Sequence, residues 1–566
     1  MKKKRLQKSI ITFVLAAAMV TGALPLPNIT MVARAAEVTE SEIASWEALK
    51  GNSNAATVTT ADGVTTITLN SCIKLTAKLA IASGEASEQP YVLDLNGYGI
   101  RYAGTNDDSV IEPVWKCSSL TLKDSNPSSA TYYIALTDGR GTAVSNSAPS
   151  GTEGTDYLAV TGGYITGGKA SSSGGGVWCG SFSFTMEGGT ICGNKAGSDG
   201  GVAANNFTMS GGAISYNSAT SETGGVSISN KGTALMTGGT IAHNSGPSTD
   251  VYNYSGTFVM TGGTIGYAGQ SGNSVNNTGH FYLKSGSTLY GTVDCNAAQT
   301  LHTVTVGSLT NGQITVSDPA WTDNTTQYYA SGDTVTLTIT PDTGYEFGTI
   351  TVTKASGGTV EVSGTGNTCT FTMPDDNVTV SATFTQPGVS YIDEDGKTQT
   401  CTEYTILTGN ETNSLAAGWY VVNSNITRSG GYGLDGDVNL ILCDNASLEI
   451  TGNGNGFNGT LGDTKYGLTV YGQSDDTGKM TIETTSDPIL VKSLTVNGGE
   501  LILKSERQVF AINIVDGDLT VNGGSVTVDT KIDNSNAVHG TDSNKVVMNG
   551  GTLTATSGNG WCIDGF

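Results

Sequence analysis

A pair of glycines returns along this chain at nearly equal intervals, each time followed by a short β-type pair. The phrases are "MEGGTICGN" from Met186, "MSGGAISYN" from Met209, "MTGGTIAHN" from Met236 and "MTGGTIGYA" from Met260, with a looser "VTGGYITGG" from Val160. Their glycine pairs begin at Gly188, Gly211, Gly238 and Gly262, in steps of 23, 27 and 24. A second phrase, "GGV", begins at Gly175, Gly200 and Gly224, in steps of 25 and 24. Two phrases alternating with one period of roughly 25 residues describe stacked architecture, whereas a phosphate-binding glycine loop does not recur. Each period has room for about three short strands joined by Gly, Asn and Ser turns. That pattern predicts a right-handed parallel β-helix with one coil per period.

The register assigns positions. Ile191, Ile214, Ile241 and Ile265 fall at one place in four periods and are the expected core stack, with Phe258 and Met260 also pointing inward. Both glycines of each pair are expected to supply the positive φ of a sharp corner. Asn194, Asn217 and Asn244 share the position three residues after the Ile, where stacked amides can hydrogen-bond along the column as a structural ladder. One position earlier stand Gly193, Tyr216, His243 and Tyr267. Tyr216, His243 and Tyr267 are therefore candidate binding residues, able to stack on sugar rings, unless they pack on one another beside the turn.

Composition narrows the function. Lys2, Lys3, Lys4, Arg5 and Lys8 precede an apolar run from Ile10 to Val20, and Ala33-Arg34-Ala35 offers a small-x-small cleavage site. Residues 1–35 thus read as a signal peptide, and the apolar run is too short to span a bilayer. Loss of its six Lys and Arg takes the formal net charge from −23 to −29. That excess opposes nucleic acid and anionic membranes as partners. No membrane span is expected after cleavage. Nine cysteines show no disulfide framework; Cys179, Cys192 and Cys443 lie in strand-like runs and read as small core residues. Four scattered histidines supply no zinc spacing. No metal site and no cofactor is expected.

Towards the amino terminus, residues Glu40 to Lys50 read as a short amphipathic helix around Trp46 that covers the first coil, and residues 125–157, rich in Ser, Gly, Asp and Thr, read as a lateral loop. Near Thr300 the glycine phrasing stops. Residues 304 to 386 alternate as short strands, and "GDTVTLTITPDTGYEFGTITV" followed by "CTFTMPDDNVTVSATF" resembles the divergent InlB B-type repeat, a small β-rich module of Gram-positive surface proteins. Where that family usually has a Trp after Gly-Tyr-x-Phe, this chain has Ile350. The resemblance implies a spacer or adhesion unit. From residue 387 the coil phrasing returns, with "LTVNGGELIL", "LTVNGGSVTV" and "VVMNGGTLTA" placing glycine pairs at Gly498, Gly523 and Gly550. The chain ends at Phe566 partway through a coil, so a truncated last coil is expected.

The expected organisation is all-β: a signal peptide (1–35), an N-terminal parallel β-helix (36–303), a small InlB B-repeat-like module (304–386) and a second parallel β-helix (387–566). Phrases such as "LDLNG", "SLTLKDS" and "MTGGTI" resemble the β-helix repeats of secreted Firmicute surface and adhesin-like proteins, and "GGAISYN" is similar to the GGA-I repeat of chlamydial polymorphic membrane proteins. Polysaccharide lyases and hydrolases also use β-helices, but their converging carboxylates are not visible. Asp107-Asp108 and Asp475-Asp476 are isolated turn-like pairs, Asp375-Asp376 is an isolated pair within the small β module, and "VHGTD" from Val538 is only a partial polygalacturonase match. These observations favour an exported, extracellular, non-catalytic protein that adheres to or binds extended polysaccharide or host glycan. The rival readings are a lyase or glycoside hydrolase with an unrecognised site, and a structural stalk.

Overall fold

Strands of four or more periods lie side by side only if equivalent residues superpose, and the structure, a computed structural model, has that register. It describes residues 38–229, 231–507, 510–530, 535–558 and 560–566; the expected signal peptide lies outside them. The described chain is almost entirely strand, an all-β repeat architecture built from regular parallel sheets. It divides into two compact units: one runs to Thr303 and includes Pro319–Asp333, the other takes Val304–Asp318 and Thr334–Phe566. Among the described residues no helix is long and apolar enough to cross a membrane.

In the first unit a nine-stranded parallel sheet runs from Glu40–Ile43 through Thr190–Cys192, Ala213–Ser215 and Thr240–Ala242 to Thr288–Leu289. Ile165, Ile191, Ile214, Ile241 and Ile265 pair in unbroken register and are fully buried. A second ladder aligns Ile111, Val177, Val202, Val226, Val251 and Val275. A third aligns Met186, Met209, Met236 and Met260, with Phe184, Phe207, Ala234 and Phe258 two residues before. All of these join one buried cluster. Each inward side chain thus meets its counterpart above and below, so the core continues from period to period.

The two glycines of each pair have different jobs. In the four close copies only the second takes the left-handed conformation, with φ +82° at Gly239 and +81° at Gly263, whereas the looser copy turns at its first glycine, Gly162 (φ +84°). The first is held by space, since a Cβ on Gly238 would lie 2.3 Å from the Ser210 carbonyl oxygen of the preceding period. The expectation that both turn through positive φ is therefore corrected. One glycine turns the corner, and the other lets neighbouring corners touch.

Two further expectations change. The helix spans only Trp46–Lys50, because Ser45 is extended and its side chain accepts from Ala48 N, so the helix starts there. Glu40–Ile43 before it is a strand paired with Cys72–Leu75. Part of the expected lateral loop folds into a three-stranded antiparallel sheet, Thr131–Thr137 between Arg140–Ser145 and Tyr157–Thr161. Its alternating Tyr132, Ile134, Val144, Leu158 and Val160 bury against Cys72, Tyr164 and Cys192, an apolar face hidden in the sequence by polar flanks. A hairpin of Trp321–Asp323 and Thr326–Ala330, within the stretch expected to form the small module, packs Tyr328 on Val259 and Tyr282 of the first unit.

In the second unit, Gly312–Ser317, Thr334–Pro341, Thr368–Thr372 and Val362–Thr365 form an antiparallel sheet, and Glu346–Lys354 pairs with Val378–Thr385. Beyond them, three parallel ladders of seven, seven and six strands stack Leu440, Val470, Val496 and Val521, and likewise Ile489, Ile512 and Val538, in register. The core side chains are at most 1% exposed through most of this stack.

Gly238→Ala and Gly239→Ala are each expected to destabilise the first unit by about 1–3 kcal/mol, one through a backbone clash and the other through backbone strain. Denaturant unfolding of the full chain measures both; an unchanged midpoint for either would show that the corner can relax.

Candidate functional site

After Ile191, Ile214 and Ile241 the polypeptide leaves the strand through one left-handed residue and then buries an asparagine. The left-handed residue is Gly193 (φ +61°), Tyr216 (+55°) or His243 (+60°). The next residue, Asn194, Asn217 or Asn244, is 0%, 0% or 7% exposed. Asn194 Nδ2 donates to Asn217 Oδ1 (2.9 Å), and Asn217 Nδ2 donates to Asn244 Oδ1 (3.0 Å). The backbone N–H of each also donates to the next amide oxygen. Their Nδ2 groups reach the carbonyls of Ile165, Ile191 and Ile214 one period back. Every polar atom of these buried amides therefore has a partner, as burial requires.

Asp250 ends the column and was not anticipated. Its Oδ1 accepts from both Asn244 N and Nδ2 at 3.0 Å, and Gln270 Nε2 donates to its Oδ2 at 3.3 Å. Burial pushes the Asp250 carboxyl up, and those hydrogen bonds oppose the shift. Two more amide columns follow the same logic. Asn253 Nδ2 donates to Asn277 Oδ1, and in the second unit Asn549 donates to Asn522 and Asn522 to Asn497, each at 2.7 Å. The last three were legible as the "NGG" of that unit's consensus.

The aromatic residues beside the first column pack on one another as one stack, the alternative that the sequence left open. The Tyr216 and His243 rings lie 5.0 Å apart at 7°, and those of His243 and Tyr267 lie 4.1 Å apart at 18°. Tyr216 is partly covered by the antiparallel sheet, His243 is exposed and Tyr267 is 40% exposed. The inner ring faces are occupied by neighbouring rings, which leaves ring edges and the outer face of Tyr267 for a ligand. The energetics are close to even. A non-glycine residue in the left-handed region costs roughly 1–2 kcal/mol, and one aromatic pair returns about 0.5–1.5 kcal/mol. His243 makes two such pairs, with Tyr216 and Tyr267, so ring stacking returns about 1–3 kcal/mol and offsets its backbone cost.

A carboxyl pair sits near the second ladder. Asp199, where the next period has Thr223, is 4% exposed, and its Oδ1 has no hydrogen-bond partner. Burial and the adjacent Glu222 carboxylate push it up to about 7. The turn-like acid pairs instead have ordinary partners: Asp107 and Asp108 pair with Lys169 and Lys78, Asp376 accepts from Ser356 N, and Asp476 accepts from Gly499 N. In "VHGTD", His539 stacks on Phe510 with ring centres 4.0 Å apart, and its Nδ1 lies 3.4 Å from Asp564 Oδ2. None of the nine cysteines is disulfide-bonded; Cys179 and Cys192 are buried, and Cys443 is half-buried.

Residues 302–388 match the divergent InlB B-repeat domain. The match covers the antiparallel strands described above, and Ile350 sits just past a register shift where Glu346–Lys354 crosses Val378–Thr385. No curated protein and no solved structure is significantly similar to the chain.

Asn217→Ala removes one acceptor and two donors from a dry column and is expected to cost about 2–4 kcal/mol. The exposed Asn549→Ala should cost no more than about 1 kcal/mol; equal losses in denaturant unfolding would refute the column's role. Asp199 carries the opposite sign from a paired carboxylate. Its folded value exceeds the unfolded one, so its ionisation destabilises the native state as pH rises from about 3.8 to about 7. Asp199→Asn should therefore match wild type at pH 4 and melt higher at pH 8. A melting difference that does not change with pH would sink this assignment.

Proposed function

We propose that the chain is an exported, non-catalytic surface protein that binds extended glycans. Its two repeat regions are read as right-handed parallel β-helices (36–303 and 387–566) flanking the module at 304–386. The observation that carries the binding reading is the Tyr216–His243–Tyr267 stack. Two of its residues hold strained backbone positions that glycine would fill without strain, and the stack stands on a fully hydrogen-bonded amide column. A rigid edge that repeats about every 4.8 Å suits a polymer, where weak contacts at several periods act together. The leader-like residues 1–35 support export, and the InlB B-repeat match supports placement among surface modules. Extracellular polysaccharide or host glycan is the partner class, and the outer face of Tyr267 is its first point of contact.

A glycan array probed with the full chain tests this. Wild type is expected to bind, His243→Gly to keep its melting temperature within a few degrees while binding less, and Tyr267→Ala to lose most binding. A wild type that binds no glycan, or a Tyr267→Ala and His243→Gly pair that binds as wild type does, would remove the stack from the function. Release of reducing or unsaturated ends from any bound polymer would favour the hydrolase or lyase reading instead.

A further inference from the structure

The outward positions of the second ladder read Glu112, Trp178, Ala203, Ser227, Tyr252 and Asn276, one residue after the aligned inward Ile111, Val177, Val202, Val226, Val251 and Val275. Among them Trp178 stands beside two register shifts of its own strand, and Asn276 beside one. Residues Trp178 to Ser183 face only Ala203 to Asn206 in the next period, with register shifts on both sides of Gly180. Gly180 is left-handed (φ +54°), yet a Cβ there would meet no atom within 4 Å. Its role is therefore the bend. Bulges of this kind re-aim side chains and gather next to binding sites.

The bend opens a cleft of about 420 Å³ lined by Glu112, Trp115, Trp178, Gly180 and Phe182, among others. Trp115 is 71% exposed and Trp178 is 40% exposed. Lys116 Nζ stands 4.1 Å from the Trp115 ring centre, which occupies one indole face and leaves the other open. Glu112 is mostly covered and fixed by Lys78 Nζ at 2.6 Å. The cleft thus combines two large apolar plates with one anchored carboxylate, inside the usual range of about 300–1,000 Å³ for small-ligand sites.

Three ligand classes stack on indoles, and the surroundings choose between them. Nucleic-acid bases arrive with phosphates, which the chain's net charge of −23 repels. The lysine nearest Glu112 is already shared with Asp108 at 3.5 Å. An organic cation would stand close to Lys116 and share the Glu112 carboxylate with Lys78, and both ammonium groups repel it. A neutral sugar ring meets no such repulsion: its C–H face covers an indole, and its hydroxyls donate to the free lone pairs of Glu112. We infer that the Trp115–Trp178 cleft is a binding subsite for a neutral pyranose of an extracellular glycan, separate from the Tyr267 stack. This inference rests on the glycan-binding reading above.

The full chain should be titrated with neutral gluco-, galacto- and manno-oligosaccharides, reading binding by calorimetry and tryptophan fluorescence. Trp178→Ala and the turn variant Trp115→Ala are each expected to weaken the best ligand at least tenfold and to diminish its fluorescence change. Tyr267→Ala should leave that fluorescence change intact. Because Trp115 is largely exposed, its variant should melt as wild type does, which keeps the test valid if Trp178→Ala folds poorly. Wild-type binding that survives both tryptophan changes would overturn this subsite and leave the glycan-binding reading standing. Binding of aromatic peptides or nucleotides in place of sugars would overturn the ligand assignment, and a wild type that binds no glycan would overturn both.

Discussion

The parallel backbone hydrogen bonds between successive periods are the constraint on which the rest of each unit depends. Successive residues of a strand bond alternately to the period before and the period after, as Ser218 N does to Asn194 O and Ala219 N to Ser245 O, so equivalent residues must superpose. Ile165 to Ile265 stay paired although the spacing between periods varies, because differences in length are expelled into turns. The largest departure makes the point. Ile100 pairs directly with Ile165 across the inserted antiparallel sheet, and the ladder passes that insertion unbroken. A buried Ile or Leu contributes about 1.5–3 kcal/mol, but one period cannot bury its own inward face. Stability is therefore cooperative between neighbours.

Superposition also dictates how turns are satisfied. A buried corner repeated every period would leave unpaired backbone groups, and an amide is the side chain that both donates and accepts along a column. The two units reach this solution at different corners. In the first, the asparagines follow the Ile strand and end on Asp250; in the second, Asn497, Asn522 and Asn549 precede the glycine pair. A column of amides needs a terminal acceptor, and a buried carboxylate provides two lone-pair-rich oxygens. Burial pushes the Asp250 carboxyl up, and three N–H donors converge on it to oppose that push.

Much of this was legible from spacing. The glycine steps, the Ile position and the Asn position can all be read in the sequence, since each repeats and repetition is what a linear reading detects. The small module was legible for another reason, its family-like "GYEF" and "FTMPDDNVTV" words. Residues that occur once were not legible. Asp250, Asp199 and the sheet around Ile134 have no counterpart one period away, so no column announces them. The division of labour within each glycine pair was also hidden, because a glycine retained for φ and one retained for space are the same letter.

That asymmetry bears on where function resides. Inward positions are fixed by the neighbour they cover, and a change there must be matched above and below. The alternate positions of the same strands lie outside that core: Trp178, Ala203, Ser227 and Tyr252 follow one another in equivalent places, with Ala203 and Ser227 covered locally and Trp178 exposed. Chemistry placed outward can therefore vary from period to period without a stability cost in the core. The two clearest cases also carry a local backbone cost, the left-handed Tyr216 and His243 and the bulged Trp178–Ser183 segment. A scaffold that could have placed glycine or a regular strand at those points, but holds aromatic rings in distorted backbone instead, presents surface chemistry that packing alone does not require.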